Sequence, residues 1–75
     1  MNWTNGERAA WGYQIGQDED VLAEAYQNDE YTSWRVTLVR HEDDAKTDIA
    51  VGHAGSIEAA KAEVEAYLRR NAPGE

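Results

Sequence analysis

Residues 34–70 read WRVTLVRHEDDAKTDIAVGHAGSIEAAKAEVEAYLRR, and they contain the change of hydrophobic period that decides the fold. In the first part apolar and polar side chains alternate, with Trp34, Val36 and Leu38 on one side of a half-buried strand. In the last part the apolar residues recur at helical spacing, at Ile57, Ala60, Val64, Tyr67 and Leu68. This change predicts strands followed by one C-terminal helix.

The helix is predicted to cover about residues 56 to 70. Ser56 can cap the free amides of the first turn, and Glu58 lies where the helix dipole favours an anion. Pro73 cannot continue a helix, because it lacks a backbone N–H and clashes with the preceding turn. Residues 71–75 are therefore expected to form a tail.

Shorter alternating stretches predict the remaining strands. Residues 48–51 follow a polar turn at 41–45, and residues 11–15 precede a turn at 16–20. Residues 21–27 have some helical propensity, but so short a helix is marginal on its own. Since this segment also lies between two good strands, it is predicted to be a strand.

The predicted architecture is α+β, an antiparallel β-meander of three to four strands with one C-terminal helix packed on one face (β-β-β-β-α). Residues 1–75 are expected to form a single small domain, because a chain of this length supports only one thin core. Residues 1–8 contain the turn dipeptide Asn5-Gly6. We expect either a tight turn into the sheet or a flexible segment there.

The alternation also predicts which side chains face the helix. The expected covered face consists of Trp11, Tyr13, Ile15, Trp34, Val36, Leu38, Ile49 and Val51, packed on Ala60, Val64 and Leu68. The expected open face carries Gln14, Thr37, Val39 and Ala50, with Leu22 and Tyr26 if Glu24 points away from the helix. An uncovered sheet with apolar residues and surrounding acids is typical of a partner or dimer surface. The alternative is that these side chains pack on one another and on Trp3.

Charge is distributed unevenly along the chain. The formal net charge is −8, and seven of the fifteen acidic residues lie in the first thirty residues, where Arg8 is the only base. The resulting field repels nucleic acids and anionic membranes and attracts basic surfaces. Solubility or adaptation to high salt would explain the same acidity without a binding role.

Composition limits the compartment and the chemistry. The chain has no cysteine, which excludes disulfides, thiol nucleophiles and cysteine metal sites. No apolar run approaches the roughly 20 residues that cross a bilayer, and the first residues lack the basic and apolar regions of a secretory signal. We therefore expect a cytoplasmic protein that does not bind membranes.

Candidate catalytic residues are few. His41 and His53 lie near opposite ends of a predicted strand–turn–strand unit, and neither has a second ligand at helical spacing. The acids at 42–44 could hold a divalent cation weakly together with His41, but a solvated turn is the expected alternative. Residues 18–20 lack the spacing of a calcium loop. We expect no enzyme, no catalytic residue, no metal site and no cofactor.

Residues 31–70 resemble, in the spacing of their elements, the arm-type DNA-binding domain of phage integrases and the related plant AP2 fold. The residues that carry the resemblance are Trp34 and Arg35 at the start of a strand, Gly52 at the end of the next, and Ala59, Ala60 and Lys61 in the helix. It implies a sheet that carries basic residues to the DNA major groove. Here the strands and their turn offer Arg35 and Arg40 but also four acids, Glu42, Asp43, Asp44 and Asp48. Because phosphate contacts supply most of the affinity for DNA, we expect no direct nucleic-acid binding.

Small, acidic, cysteine-free domains resemble, in size and charge only, the anti-restriction and anti-CRISPR inhibitors of phages and mobile elements. The resemblance implies a viral inhibitor that mimics nucleic acid. Alternate residues of a strand lie about 6.8 Å apart, close to the spacing of backbone phosphates.

The leading hypothesis is a non-enzymatic protein-binding module whose acidic N-terminal hairpin engages a basic or nucleic-acid-binding protein. Its predicted partner-binding residues, with the tyrosines as anchors, are Asp18, Glu19, Asp20, Glu24, Tyr26, Asp29, Glu30 and Tyr31. The alternative is a small homodimeric accessory or structural domain, salt-adapted or not, that pairs through its open sheet face or an edge strand.

Overall fold

The computed structural model describes residues 1–71, which form five strands and one helix. In chain order these are β1 (Asn2–Asn5), β2 (Ala9–Gln14), β3 (Glu19–Gln27), β4 (Thr32–Arg40), β5 (Lys46–Ala54) and α1 (Ile57–Asn71). Each strand pairs antiparallel with the next, so the order in the sheet is β1-β2-β3-β4-β5. The α+β meander with a C-terminal helix is confirmed, but the described residues contain five strands instead of three to four.

The additional strand is β1, in the segment that was expected to be a turn or a flexible tail. It pairs with β2 along its whole length, and the Gly6 N–H donates to the Ala9 carbonyl at 2.8 Å across the connecting turn. The Trp3 ring packs against the core, and its Nε1 donates to Glu65 Oε1 of α1 at 3.3 Å. Since Glu65 lies 62 positions later in the chain, local sequence patterns could not reveal what holds β1.

Residues 21–27 and the C-terminal helix have largely the predicted structure. Residues 21–27 belong to β3, which pairs with β2 on one side and β4 on the other. The Ser56 Oγ accepts the Ala59 N–H at 3.1 Å, as expected of a helix cap. Helix α1 extends to Asn71. The rest of the predicted tail, including Pro73, lies outside the described residues.

The face assignment of β2 was wrong. Ala10 and Gly12 are buried on the helix side, whereas Trp11 and Tyr13 lie exposed on the opposite face and Ile15 is 78% exposed. The cause is β1, because Met1 and Trp3 fill the space above Gly12. A Cβ atom at Gly12 would lie only 3.0 Å from the Trp3 ring. At the position of Gly12 the helix side of β2 therefore requires a residue without a side chain.

The assignment of three other residues to faces, Ala50, Val51 and Gln14, was also wrong. A register shift between Val36 and Thr37 leaves Ile49 without a direct partner in β4, so the alternation changes phase within β5. As a result, Ile49 and Ala50 both pack against the core, and Val51 is 71% exposed. In β2, Gln14 pairs with buried Val21 and so lies on the helix side, against expectation.

The core lies in a single layer between α1 and one face of the sheet. Its buried cluster consists of Val21, Ala23, Val36 and Val64. Around this cluster pack Met1, Trp3, Trp34, Leu38, Ile49, Ala50, Tyr67 and Leu68. Within residues 1–71 no helix has the length and apolar character needed to span a membrane. The second face of the sheet carries no helix of the described chain.

Candidate functional site

The face of the sheet opposite α1, here called the open face, is organised in rows across the strands. Directly paired residues of antiparallel strands lie on the same face, so the register defines these rows. One row contains Tyr13, Leu22, Thr37 and Asp48. The next contains Trp11, Glu24, Arg35 and Val51, and the third contains Tyr26, Ser33 and His53. Aromatic and charged side chains thus share one surface.

Three exposed aromatic side chains lie on the β2 and β3 side of the open face. Trp11 is 40% exposed, and Tyr13 and Tyr26 are each 44% exposed. The Trp11 ring rests on the β1–β2 turn, where a Cβ atom at Gly6 would lie 3.2 Å from it. Tryptophan and tyrosine are the residues most enriched at the energetic centres of protein interfaces.

A hydrogen-bonded network fixes the centre of the open face. Glu24 accepts the Tyr26 hydroxyl at 2.7 Å and Arg35 Nη2 at 3.0 Å. Arg35 Nη1 lies 3.9 Å from Asp48 Oδ2, and Asp48 Oδ1 accepts the Thr37 hydroxyl at 2.9 Å. The Tyr26 hydrogen bond, followed by that of Arg35, holds the pKa of Glu24 below its ordinary value. The same carboxylate raises the pKa values of Tyr26 and Arg35.

A second network lies at the end of the open face where the β2–β3 and β4–β5 turns meet. Asp20 accepts the Tyr13 hydroxyl, His41 Nε2 lies 2.6 Å from its Oδ1, and the Gly16 N–H donates to it at 3.2 Å. The hydrogen bonds from Tyr13 and then His41 hold the pKa of Asp20 below its ordinary value. Asp20 in turn raises the pKa values of Tyr13 and His41. The His41 N–H also donates to the Asp18 carbonyl at 3.1 Å, which joins the two turns.

These joined turns bring six of the fifteen acidic residues to one end of the sheet. This acidic end consists of Asp18, Glu19, Asp20, Glu42, Asp43 and Asp44. Arg40 Nη1 lies 3.8 Å from Asp43 Oδ2. Across residues 1–71 no three His, Asp or Glu side chains converge as a metal ion would require. The sequence pattern indicated the two turns separately, although the up-and-down strand order of a meander puts alternate turns at the same end of the sheet.

The predicted partner-binding residues divide between distant regions. Asp18, Glu19 and Asp20 belong to the acidic end, while Glu24 and Tyr26 lie on the open face. Asp29, Glu30 and Tyr31 lie in the β3–β4 turn, separated from the acidic end by the nine-residue strand β3, about 26 Å at strand spacing. There Arg8 Nη2 contacts Asp29 Oδ1 at 2.8 Å, and the Tyr31 ring meets His53 edge-on at 5.1 Å. The structure therefore does not bring the eight residues into one patch.

A shallow depression of about 380 Å³ lies beside the aromatic residues. Its lining consists of Tyr26, Ser33, Trp34, Arg35, Val51, Gly52 and His53. Only Tyr26 among these was a predicted site residue. The others were missed because their proximity depends on the register of three strands, β3, β4 and β5.

Comparison of the sequence with protein-family models gave no match, and comparisons with curated proteins and solved structures gave none either. A functional assignment therefore depends on the open face and the acidic end.

Proposed function

We propose that the chain is a non-enzymatic protein-binding module that engages a basic protein with the β2–β3 side of its open face. The observation that carries this proposal is the group of three exposed aromatic side chains, Trp11, Tyr13 and Tyr26, bordered by the acidic end. Such a surface combines apolar contact area with a strong negative field.

The aromatic side chains are preorganised for binding. The hydroxyls of Tyr13 and Tyr26 each donate to a carboxylate of β3, and the Trp11 ring packs on the turn at Gly6. Side chains that are already held in place lose less conformational entropy when a partner binds. Their large rings can then bury apolar area while the hydroxyls stay hydrogen-bonded.

The charges around this group favour a basic partner. Glu24 is neutralised by Arg35, and Asp20 contacts His41, so the carboxylates at the centre already have partners. Most carboxylates of the acidic end, by contrast, are solvent-exposed. An apolar centre with an acidic border complements a partner that has an apolar patch bordered by Lys and Arg. Association would be fast at low salt and would weaken as salt rises.

A nucleic-acid-binding protein is the partner class that this surface fits best, because such proteins carry dense Lys and Arg clusters. The acidic end would occupy the cluster that otherwise contacts phosphates, so the module would act as a nucleic-acid-mimicking inhibitor. The net charge of −8 disfavours direct binding to nucleic acid. The module would accordingly be a viral protein that acts in the cytoplasm.

The test is a pull-down from host lysate at low and moderate salt, with bound proteins identified by mass spectrometry. We expect a nucleic-acid-binding protein that is released by salt and displaced by DNA. Trp11→Ala should weaken the complex about 30-fold, as expected for an interface anchor. Tyr31→Ala is the matched control, because Tyr31 is also exposed but lies in the β3–β4 turn, where its ring contacts His53 of β5 and not the group of three.

Three results would contradict the proposal. The first is a partner that resists both salt and DNA, and the second is recovery of no partner at any salt concentration. The third is an equal loss of binding for Trp11→Ala and Tyr31→Ala, since the aromatic group on β2 and β3 would then have no special role. Circular dichroism of both variants would confirm that they remain folded.

A further inference from the structure

The two outer strands of the described sheet are unequal. Strand β1 has four residues, whereas β5 has nine and is as long as its neighbour β4. A long edge strand presents unpaired backbone groups that can pair with another strand. Proteins usually protect such edges with charges, bulges, proline or a covering element.

Protection of β5 is confined to its first half. Lys46 and Asp48 place charges there, and the register shift at Ile49 disturbs the ladder. The Tyr67 hydroxyl of α1 also donates to the Ile49 carbonyl at 3.4 Å. Over the second half, residues 50–54, none of these features is present, and among residues 1–71 no side chain hydrogen-bonds to this backbone.

We propose that two copies of the chain associate by antiparallel pairing of this second half of β5, with Gly52 on the two-fold axis. In that register Ala50 lies opposite Ala54, and Val51 lies opposite His53 of the second copy. Ala and Gly therefore face one another in two of the three kinds of pair, and no carboxylate faces another. A two-fold interface requires this kind of self-complementarity.

The balanced charge of β5 allows a second copy to pair at this edge, although the chain as a whole is acidic. Across β5 the one lysine balances the one aspartate, so the strand adds nothing to the net charge of −8. The acidic end is formed by the β2–β3 and β4–β5 turns and the first two residues of β3, away from residues 50–54. Repulsion between copies is therefore smallest along β5.

Both sides of the sheet can accommodate the second strand. On the helix side the residues of the paired segment are Ala50, Gly52 and Ala54, so no large side chain of β5 itself lies between the two strands. On the open face Val51 is 71% exposed, and the new pairing would cover part of its side chain. Because only five residues pair, the buried area falls below that of a standard stable interface, and the dimer should be weak.

The pairing would have a consequence for the proposed function without depending on it. A two-fold axis perpendicular to the sheet leaves both α1 helices on one side and both open faces on the other. The two aromatic groups would then point in the same direction at the outer parts of a continuous sheet. A partner with two basic sites could bind both, with a gain in avidity.

Analytical ultracentrifugation between about 10 µM and 1 mM, the range expected for a weak interface, tests the proposal. The mass should rise from 8.4 kDa toward twice that value as concentration increases. Val51→Lys should keep the chain monomeric. Ile15→Lys should dimerise like the parent, because it adds the same charge at an equally exposed apolar residue away from β5. Amide exchange at residues 50–54 should slow with concentration in the parent and not in Val51→Lys.

A parent chain that stays at 8.4 kDa throughout this range would overturn the proposal. Dimerisation of Val51→Lys equal to that of the parent would do so as well. Loss of the dimer in both variants would assign the contact to the open face instead of the edge. Failure of the lysate pull-down would leave this result unaffected, so the two proposals can fail separately.

Discussion

Tryptophan side chains are packed on one face of the sheet and partly exposed on the other. On the covered face Trp3 lies opposite Gly12, and Trp34 lies opposite Gly52, so each ring packs over a residue without a side chain. On the open face Trp11 lies opposite Glu24 and stays 40% exposed. The space offered by the neighbouring strand, more than the hydrophobicity of the side chain, therefore determines which face receives a large ring.

The two faces also differ in whether their polar side-chain atoms have hydrogen-bond partners. Trp34 Nε1 is buried and has no acceptor among the described residues, so packing over Gly52 takes precedence over a hydrogen bond. On the open face the hydroxyls of Tyr13 and Tyr26 are both hydrogen-bonded to carboxylates. The side chains of the covered face are thus closely packed, whereas those of the open face are held by hydrogen bonds and remain accessible.

The largest effect is expected from a change that removes space on the covered face. Gly52→Ala would place a Cβ atom 2.5 Å from the Trp34 ring, and we expect a loss of about 1–3 kcal/mol in the free energy of unfolding. Gly55→Ala is the control, because its Cβ would meet no atom within 4 Å. Urea denaturation at low protein concentration measures both. Equal midpoints for the two variants would mean that the covered face tolerates overpacking.

A smaller effect is expected from pH, through the network at the acidic end. Asp20 raises the pKa of His41 above its ordinary value, so this contact stabilises the fold fully below about pH 6.5. That contribution is lost as the pH rises through the raised pKa. The pKa of Asp20 is lowered, chiefly by Tyr13, so its contribution is present above its ordinary value of about 3.9 and disappears as the pH falls through the lowered pKa.

Urea midpoints measured from acidic to mildly alkaline pH should therefore decrease as the pH rises above about 6.5 and through the raised pKa of His41. His41→Gln should remove that decrease, while the urea midpoints at acidic pH should still depend on Asp20. If the parent and His41→Gln show the same change of midpoint above about pH 6.5, the contact between His41 and Asp20 does not stabilise the folded chain. The comparison between the faces would then rest on packing alone.

The smallest effect is expected from removing one hydroxyl on the open face. Tyr26→Phe deletes the main cause of the lowered Glu24 pKa, so that pKa should rise while Arg35 still keeps it partly lowered. Stability should change by less than about 1 kcal/mol, because the lost hydrogen bond is at the surface. Carboxyl titration by NMR measures the change. Tyr31→Phe, whose ring contacts His53, should leave the Glu24 pKa as it is, and a rise there as large as that in Tyr26→Phe would contradict the assignment.

The parts of the fold that were predicted correctly depend on local interactions. The Ser56 cap, the helical spacing after it and the alternation around Val36 are all properties of a few neighbouring residues, and they gave the helix and the central strands. Strand β3 was also predicted, because a seven-residue helix is marginal and good strands flank the segment.

The candidate site was only partly predictable. Glu24, Tyr26 and Asp20 were proposed from their charge and ring chemistry, and they lie on or beside the open face. Trp11 and Tyr13 were assigned to the covered face, so their part in the exposed aromatic group was missed. Their reversal depends on Met1 and Trp3, which occupy the helix side above Gly12.

By itself the sequence determined that this chain is a small, acidic α+β domain with strands before one capped helix, because period, capping and charge are read from neighbouring residues. Only the tertiary structure decided that residues 2–5 form a fifth strand, that β2 turns its aromatic side chains outward, and that two acidic turns meet. These features arise from contacts between residues far apart in the chain. Whether such contacts form depends on the space and the hydrogen-bond partners that the other strands and the helix provide.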